Sequence, residues 1–117
     1  MHIFSVPDAV FRGKKGNTWK VEYGSAGTTI YHGSPKSNMY IRIYDKAAER
    51  DLENVHWIRV EMQMRDEIAQ GFISGLMRNP VGIHFRGVLH NYLRYVVPTA
   101  DTNMSRWPMT DYWEQLL

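Results

Sequence analysis

Tyr40, Arg42, Tyr44 and Lys46 occupy alternate positions of the segment MYIRIYDK, and Trp57, Arg59, Glu61 and Gln63 do the same in HWIRVEMQM. Period-two spacing puts each set on one face of an extended strand. Strands that follow one another in sequence usually pair, so a phenol, several cations and a carboxylate are expected on one sheet surface. That assortment suits attack on a phosphodiester. A tyrosine hydroxyl, with an ordinary pKa of about 10, is a weak nucleophile at neutral pH and needs a nearby cation or metal ion to favour the phenolate. Arg42, Arg59 or Lys46 could supply that field. In-line displacement also builds negative charge on the non-bridging oxygens, which a Mg²⁺ or Mn²⁺ held partly by Glu61 would stabilise. The same residues also describe an ordinary cross-strand ladder of ring contacts and ion pairs, and alternation alone leaves both readings open.

Other chemistries find less support. The chain has no cysteine, which excludes disulfides, zinc–cysteine sites and thiol nucleophiles. His2, His32, His56, His84 and His90 include no pair two or four positions apart on one helix, so the ligand spacing of a zinc hydrolase is missing. GSPKS lacks the second glycine of a nucleophile elbow and the full spacing of a phosphate-binding loop, and reads as a turn.

The elements that must position these residues follow from hydropathy period and turn chemistry. TWKVEY and TTIYH, joined through GSAG, predict an antiparallel hairpin. MYIRIYDK adds a third strand with Met39, Ile41 and Ile43 on its apolar face, and HWIRVEMQM a fourth with Ile58, Val60, Met62 and Met64. Ile68, Phe72, Ile73 and Leu76 then fall at helical spacing. Asn79 and Pro80 suit the cap and first position of a second helix, carrying Val81, Phe85, Val88, Leu89, Tyr92 and Val96 along one side until Pro98. The expected architecture is α+β: an antiparallel four-stranded meander with two helices packed on one face and its other face open. Residues 1–16, ending in RGKKG, read as a flexible basic lead-in, and 17–117 as the folded part. Trp107, Tyr112, Trp113, Leu116 and Leu117 are expected to fold back onto the body, because exposing so much aromatic surface is costly.

A chain of 117 residues is long enough for one compact domain. Its net charge of +2 means that attraction to a phosphate backbone must come from local clusters such as Arg12, Lys14 and Lys15. No apolar run is long enough to span a bilayer and the amino terminus lacks the pattern of a secretory signal, so no membrane association and a cytoplasmic location are expected.

The run GTTIYHGSPKSNMYIRIYDKAAE, followed by WIRVEMQMRDE, resembles the family of transposon and plasmid replication initiation factors that includes the relaxases of integrative conjugative elements. A glycine, a tyrosine-containing strand, a GS..S turn, an RIYDK-like strand and an R.E strand occur in that order, and SRWPMTDYWEQLL is similar to the family's closing segment. The resemblance covers most of residues 27–117 and implies the carboxy-terminal part of a longer catalytic domain, half of a duplicated, TATA-binding-protein-like saddle. It implies site- and strand-specific nicking and rejoining of origin DNA through a 5′-phosphotyrosyl intermediate, with Mg²⁺ or Mn²⁺. Carried over by position, the nucleophile falls on Tyr44, with Tyr40 the less favoured claimant; Glu61 falls on the metal-binding acid. Arg42, Arg59, Lys46 and Lys36 become candidates for phosphate contact. Single-stranded or melted origin DNA, a helicase and a second copy of the chain are the partners implied. The alternative is a DNA-binding or dimerisation module without chemistry, using exposed aromatics and cations to clamp a single strand.

Overall fold

The computed structural model describes residues 8–12, 14–15, 19–24, 27–50 and 57–116. In chain order the elements are β1 (Asp8–Phe11), β2 (Lys14–Lys15), β3 (Trp19–Gly24), β4 (Gly27–His32), β5 (Met39–Asp45), α1 (Lys46–Glu49), β6 (Ile58–Met64), α2 (Asp66–Leu76), α3 (Val81–Tyr92), β7 (Leu93–Val96) and α4 (Asp111–Leu116). The chain divides into two compact units, one of residues 18–71 and one of residues 1–17 with 72–117.

The first unit holds a four-stranded antiparallel sheet in the order β3-β4-β5-β6, the meander that alternation predicts. Met39, Ile41 and Ile43 are fully buried, and Ile30 and His32 join them from β4. The turn between β4 and β5 is closed by Ser37, whose hydroxyl lies within hydrogen-bond distance of the Ser34 and Met39 carbonyl oxygens, at 2.7 and 2.6 Å. Lys46, expected to extend β5, instead opens α1. The Asp45 carboxylate accepts from Ala48 N at 2.9 Å and caps that turn, while the Lys46 and Ala47 amides donate to the Trp57 carbonyl.

Burial of His32 pushes its imidazole down to about 4 from 6.5, because the low-dielectric interior disfavours the cation. Between those two values the unfolded chain binds a proton that the native chain does not. The contribution to stability is therefore complete above about pH 6.5 and is lost as the pH falls toward 4, to a limit of about 3 kcal/mol. Urea midpoints measured across this window are expected to fall with acidification; a flat profile would show that His32 takes up its proton inside the fold.

The second unit differs more from the sequence reading. A three-stranded sheet, β2-β1-β7, is present here, with β1 antiparallel to both neighbours. The lead-in expected over residues 1–16 therefore contains strand: Ala9, Val10 and Phe11 are buried, and their backbone pairs with Leu93 to Val96. Residues 1–7 lie outside the described residues. The second helix ends at Tyr92 rather than running to Pro98. Leu93, Tyr95 and Val96 satisfy a buried strand as well as a helical stripe, and β1 supplies the pairing partner that only distant sequence provides.

The expected cap at Asn79 is also replaced. Pro80 occupies the cap position of α3, and the Asn79 amide donates instead to the Gly75 carbonyl at the end of α2. The aromatic tail packs as expected: Trp113 is fully buried with its ring centroid 4.7 Å from that of Tyr95, and Trp107 packs with Val10 and Val96. Leu117 lies outside the described residues. Among the described residues no helix is long and apolar enough to cross a membrane.

Candidate active site

Register decides which side chains meet on the face opposite Met39, Ile41 and Ile43. Arg42 stands across from Glu61 and Tyr44 from Arg59 on β6, while Tyr31 and Thr29 on β4 stand across from Arg42 and Tyr44. Because directly opposed side chains in an antiparallel pair point the same way, this register gathers Thr29, Tyr31, Tyr40, Arg42, Tyr44, Arg59, Glu61 and Gln63 on one surface.

Glu61 is the hub of that surface. Arg42 Nε donates to its Oε1 at 2.8 Å and Arg42 Nη2 pairs with the same oxygen. The Tyr44 hydroxyl donates to Oε2 at 3.3 Å, and Arg59 Nε lies 3.6 Å from that atom. The Arg42 guanidinium also covers the Tyr44 ring at 4.8 Å from its centroid, with Lys46 Nζ at 5.6 Å. Tyr44 is consequently 8% exposed, where alternation predicts an open phenol. Arg42 and Lys46 lie over its ring and its hydroxyl reaches Glu61, so Tyr44 and Glu61 do share one polar face.

Lys46 is itself buried, and its ammonium pairs with Glu49 Oε2 at 2.6 Å, which holds the Glu49 carboxyl below its ordinary value. These groups line a cavity of about 480 Å³ together with Glu22, Gly24, Gly27 and Thr29. Glu22, Thr29 and Glu49 escape the sequence reading. The first two could have been found by carrying the β3–β4–β5 register through the hairpin; Glu49 could not, because its place depends on the α1 turn.

Tyr40 lies away from this hub. Its ring stacks on Tyr31 with centroids 5.7 Å apart and planes 13° from parallel, and burial pushes its phenol above the ordinary value. Lys36 sits exposed in the β4–β5 turn and does not line the cavity.

The Mg²⁺ or Mn²⁺ expected at Glu61 meets a carboxylate whose oxygens already serve Arg42, Arg59 and Tyr44. Among the described residues no group of three or more His, Cys, Asp or Glu is arranged to hold a metal ion. The described residues of the site do not by themselves make up a metal ligand set.

The rim of the cavity imposes a backbone constraint. Gly27 adopts φ +104°, and a Cβ added there would lie 2.9 Å from Ala48 Cβ. Gly27→Ala is expected to cost about 1–3 kcal/mol from left-handed strain and crowding against α1. A thermal melt reads this directly, and an unchanged transition would mean that the hairpin relaxes around the methyl group.

A family model described as replication initiation factor matches residues 8–117. The chain is similar to a protein named "Putative DNA relaxase NicK" from Bacillus subtilis (strain 168), with 28% identity over 137 residues covering 97% of this chain and 38% of that protein. It is also similar to the solved structure of a rolling circle replication initiator protein from Geobacillus stearothermophilus, with a TM-score of 0.75 and 26% identity over 93% of this chain and 44% of that one. The chain thus spans less than half the length of either relative.

Proposed function

Because the chain belongs to the replication initiation factor family, we propose that its β4–β5–β6 face carries the tyrosine chemistry of a DNA nicking and joining enzyme acting at an origin in rolling-circle replication or conjugative transfer. The observation that carries this reading is the hydrogen bond from the Tyr44 hydroxyl to Glu61 beneath the Arg42 guanidinium. A nucleophile, a base and a cation are held together by neighbouring strands, an arrangement suited to general-base activation.

In the proposed step Glu61 takes the phenol proton while Arg42 and Lys46, over the ring, stabilise the developing phenolate. The Tyr44 oxygen attacks phosphorus, a Tyr–O–P bond forms, and the bond to the 3′-oxygen breaks. The proton held by Glu61 is then available to the leaving 3′-oxygen. Arg59, half exposed beside Glu61, is placed to meet the non-bridging oxygens. Rejoining is the reverse: the 3′-hydroxyl returns its proton to Glu61 and displaces Tyr44. With no complete ligand set among the described residues, no step is assigned to a metal. Origin DNA, single-stranded or melted, is the proposed substrate; a helicase and a second copy of the chain are partners the family resemblance brings.

The test is a covalent one. Labelled single-stranded origin DNA incubated with the protein is expected to yield a protein–DNA product that survives denaturing electrophoresis and carries phosphotyrosine. Salt-sensitive binding without any such product would replace this reading by the non-catalytic DNA-binding module.

A further inference from the structure

We propose that the stacked Tyr31–Tyr40 pair is a nucleobase shelf that positions the single strand beside Tyr44. The proposal rests on the DNA-nicking reading above and assigns a substrate-positioning role to two residues that the proposed chemistry does not use.

Three observations carry it. First, the two rings are close to parallel on adjacent strands and form one offset aromatic surface. Second, that surface is one wall of a cavity of about 640 Å³, completed by Arg42, Glu61, Met62 and Gln63. Its volume falls in the range of small-molecule sites, roughly 300–1,000 Å³.

Third, the space adjoins the reactive one. Arg42 and Glu61 line both cavities, so their ion pair is a shared partition. Tyr40 and Tyr44 lie on the same face of β5, roughly 13 Å apart at about 3.3 Å per residue. That is a span that one extended single strand can cover in a few nucleotides.

The polar surroundings fit a nucleotide. Lys20 stands opposite Tyr31 on β3 and Arg42 opposite it on β5, so an ion pair flanks the shelf on each side, Lys20 with Glu22 at 2.8 Å and Arg42 with Glu61, and a phosphate would meet each cation beside its carboxylate. Gln63, exposed opposite Tyr40, offers both a donor and an acceptor to a base edge. The Tyr31 hydroxyl donates to Glu22 Oε2 at 3.2 Å, which fixes the ring in place. Stacking on such a platform accepts any base, because every base has a π-face. Choice of nucleotide would then come from Gln63.

The experiment compares binding of a short oligothymidylate with that of its abasic counterpart, which keeps every phosphate and lacks the bases. The wild-type chain is expected to bind the first more tightly by about 5- to 100-fold, the range that stacking on an aromatic side chain supplies. Tyr31→Leu combined with Tyr40→Leu is expected to erase the difference, and Tyr31→Phe or Tyr40→Phe, which keep the ring, to preserve it. Equal binding of the two strands by the wild-type chain overturns the shelf without reference to any variant's folding. So does a Phe variant as indifferent to base removal as the double Leu variant.

The binding readout contains no covalent step, so the two proposals fail separately. Base discrimination without a phosphotyrosyl product leaves the shelf and removes the transesterase reading. A phosphotyrosyl product from a chain blind to base removal does the opposite.

Discussion

Tyr44→Phe is expected to eliminate the covalent protein–DNA product, with a loss on the order of 10⁴-fold or more in nicking rate, as removal of a nucleophile does when no other group can take its place. The substitution removes one oxygen and leaves the ring beneath Arg42 and Lys46, so folding and strand binding have little reason to change. The lost hydrogen bond to Glu61 is long at 3.3 Å, and Glu61 keeps both arginine partners. Tyr40→Phe is the informative companion. Its phenol faces a different cavity and is pushed above its ordinary value by burial, so the product should still form. A phosphotyrosyl product from Tyr44→Phe protein would move the nucleophile elsewhere and dissolve the mechanism.

Glu61→Gln should rank second in size. The amide keeps the shape of the side chain and can still accept from Arg42, but it cannot take the Tyr44 proton. General-base removal typically costs 10²–10⁴-fold, so single-turnover nicking is expected to slow by roughly that factor. The melting temperature should barely move, since the ion pair with Arg42 is more than a third exposed on both sides, and such pairs contribute about 0–1 kcal/mol. Rate and stability thus separate the proposed role from a structural one. Nicking within a few-fold of wild type would reduce Glu61 to an anchor for Arg42 and Arg59, and a large fall in melting temperature with a matching fall in activity would do the same.

The two cavities give these predictions a common frame. Arg42 and Glu61 line both the cavity at Tyr44 and the one at the stacked rings, so substitutions there should disturb binding and the proposed chemistry together. Tyr44 lines one cavity and the Tyr31–Tyr40 pair the other, and changes at either should be separable.

Where the signal was local, the amino-acid sequence determined the result. Alternation in MYIRIYDK and HWIRVEMQM assigned Met39, Ile41 and Ile43 to the interior and Tyr44 and Glu61 to a common face, because the side-chain period of a strand is a property of its own backbone. Trp107 and Trp113 of the closing segment were likewise legible as buried, since large apolar rings have few other places to go. Tertiary structure decided what depends on a distant partner. Leu93 to Val96 became a strand because Asp8 to Phe11 offered pairing, which neither segment announces by itself. Strand register brought Tyr31 beside Tyr40, and the α1 turn folded Lys46 back over the Tyr44 ring. A period reports which face a side chain takes; only hydrogen-bonded register and chain reversal, set by contacts far apart in sequence, decide what it touches.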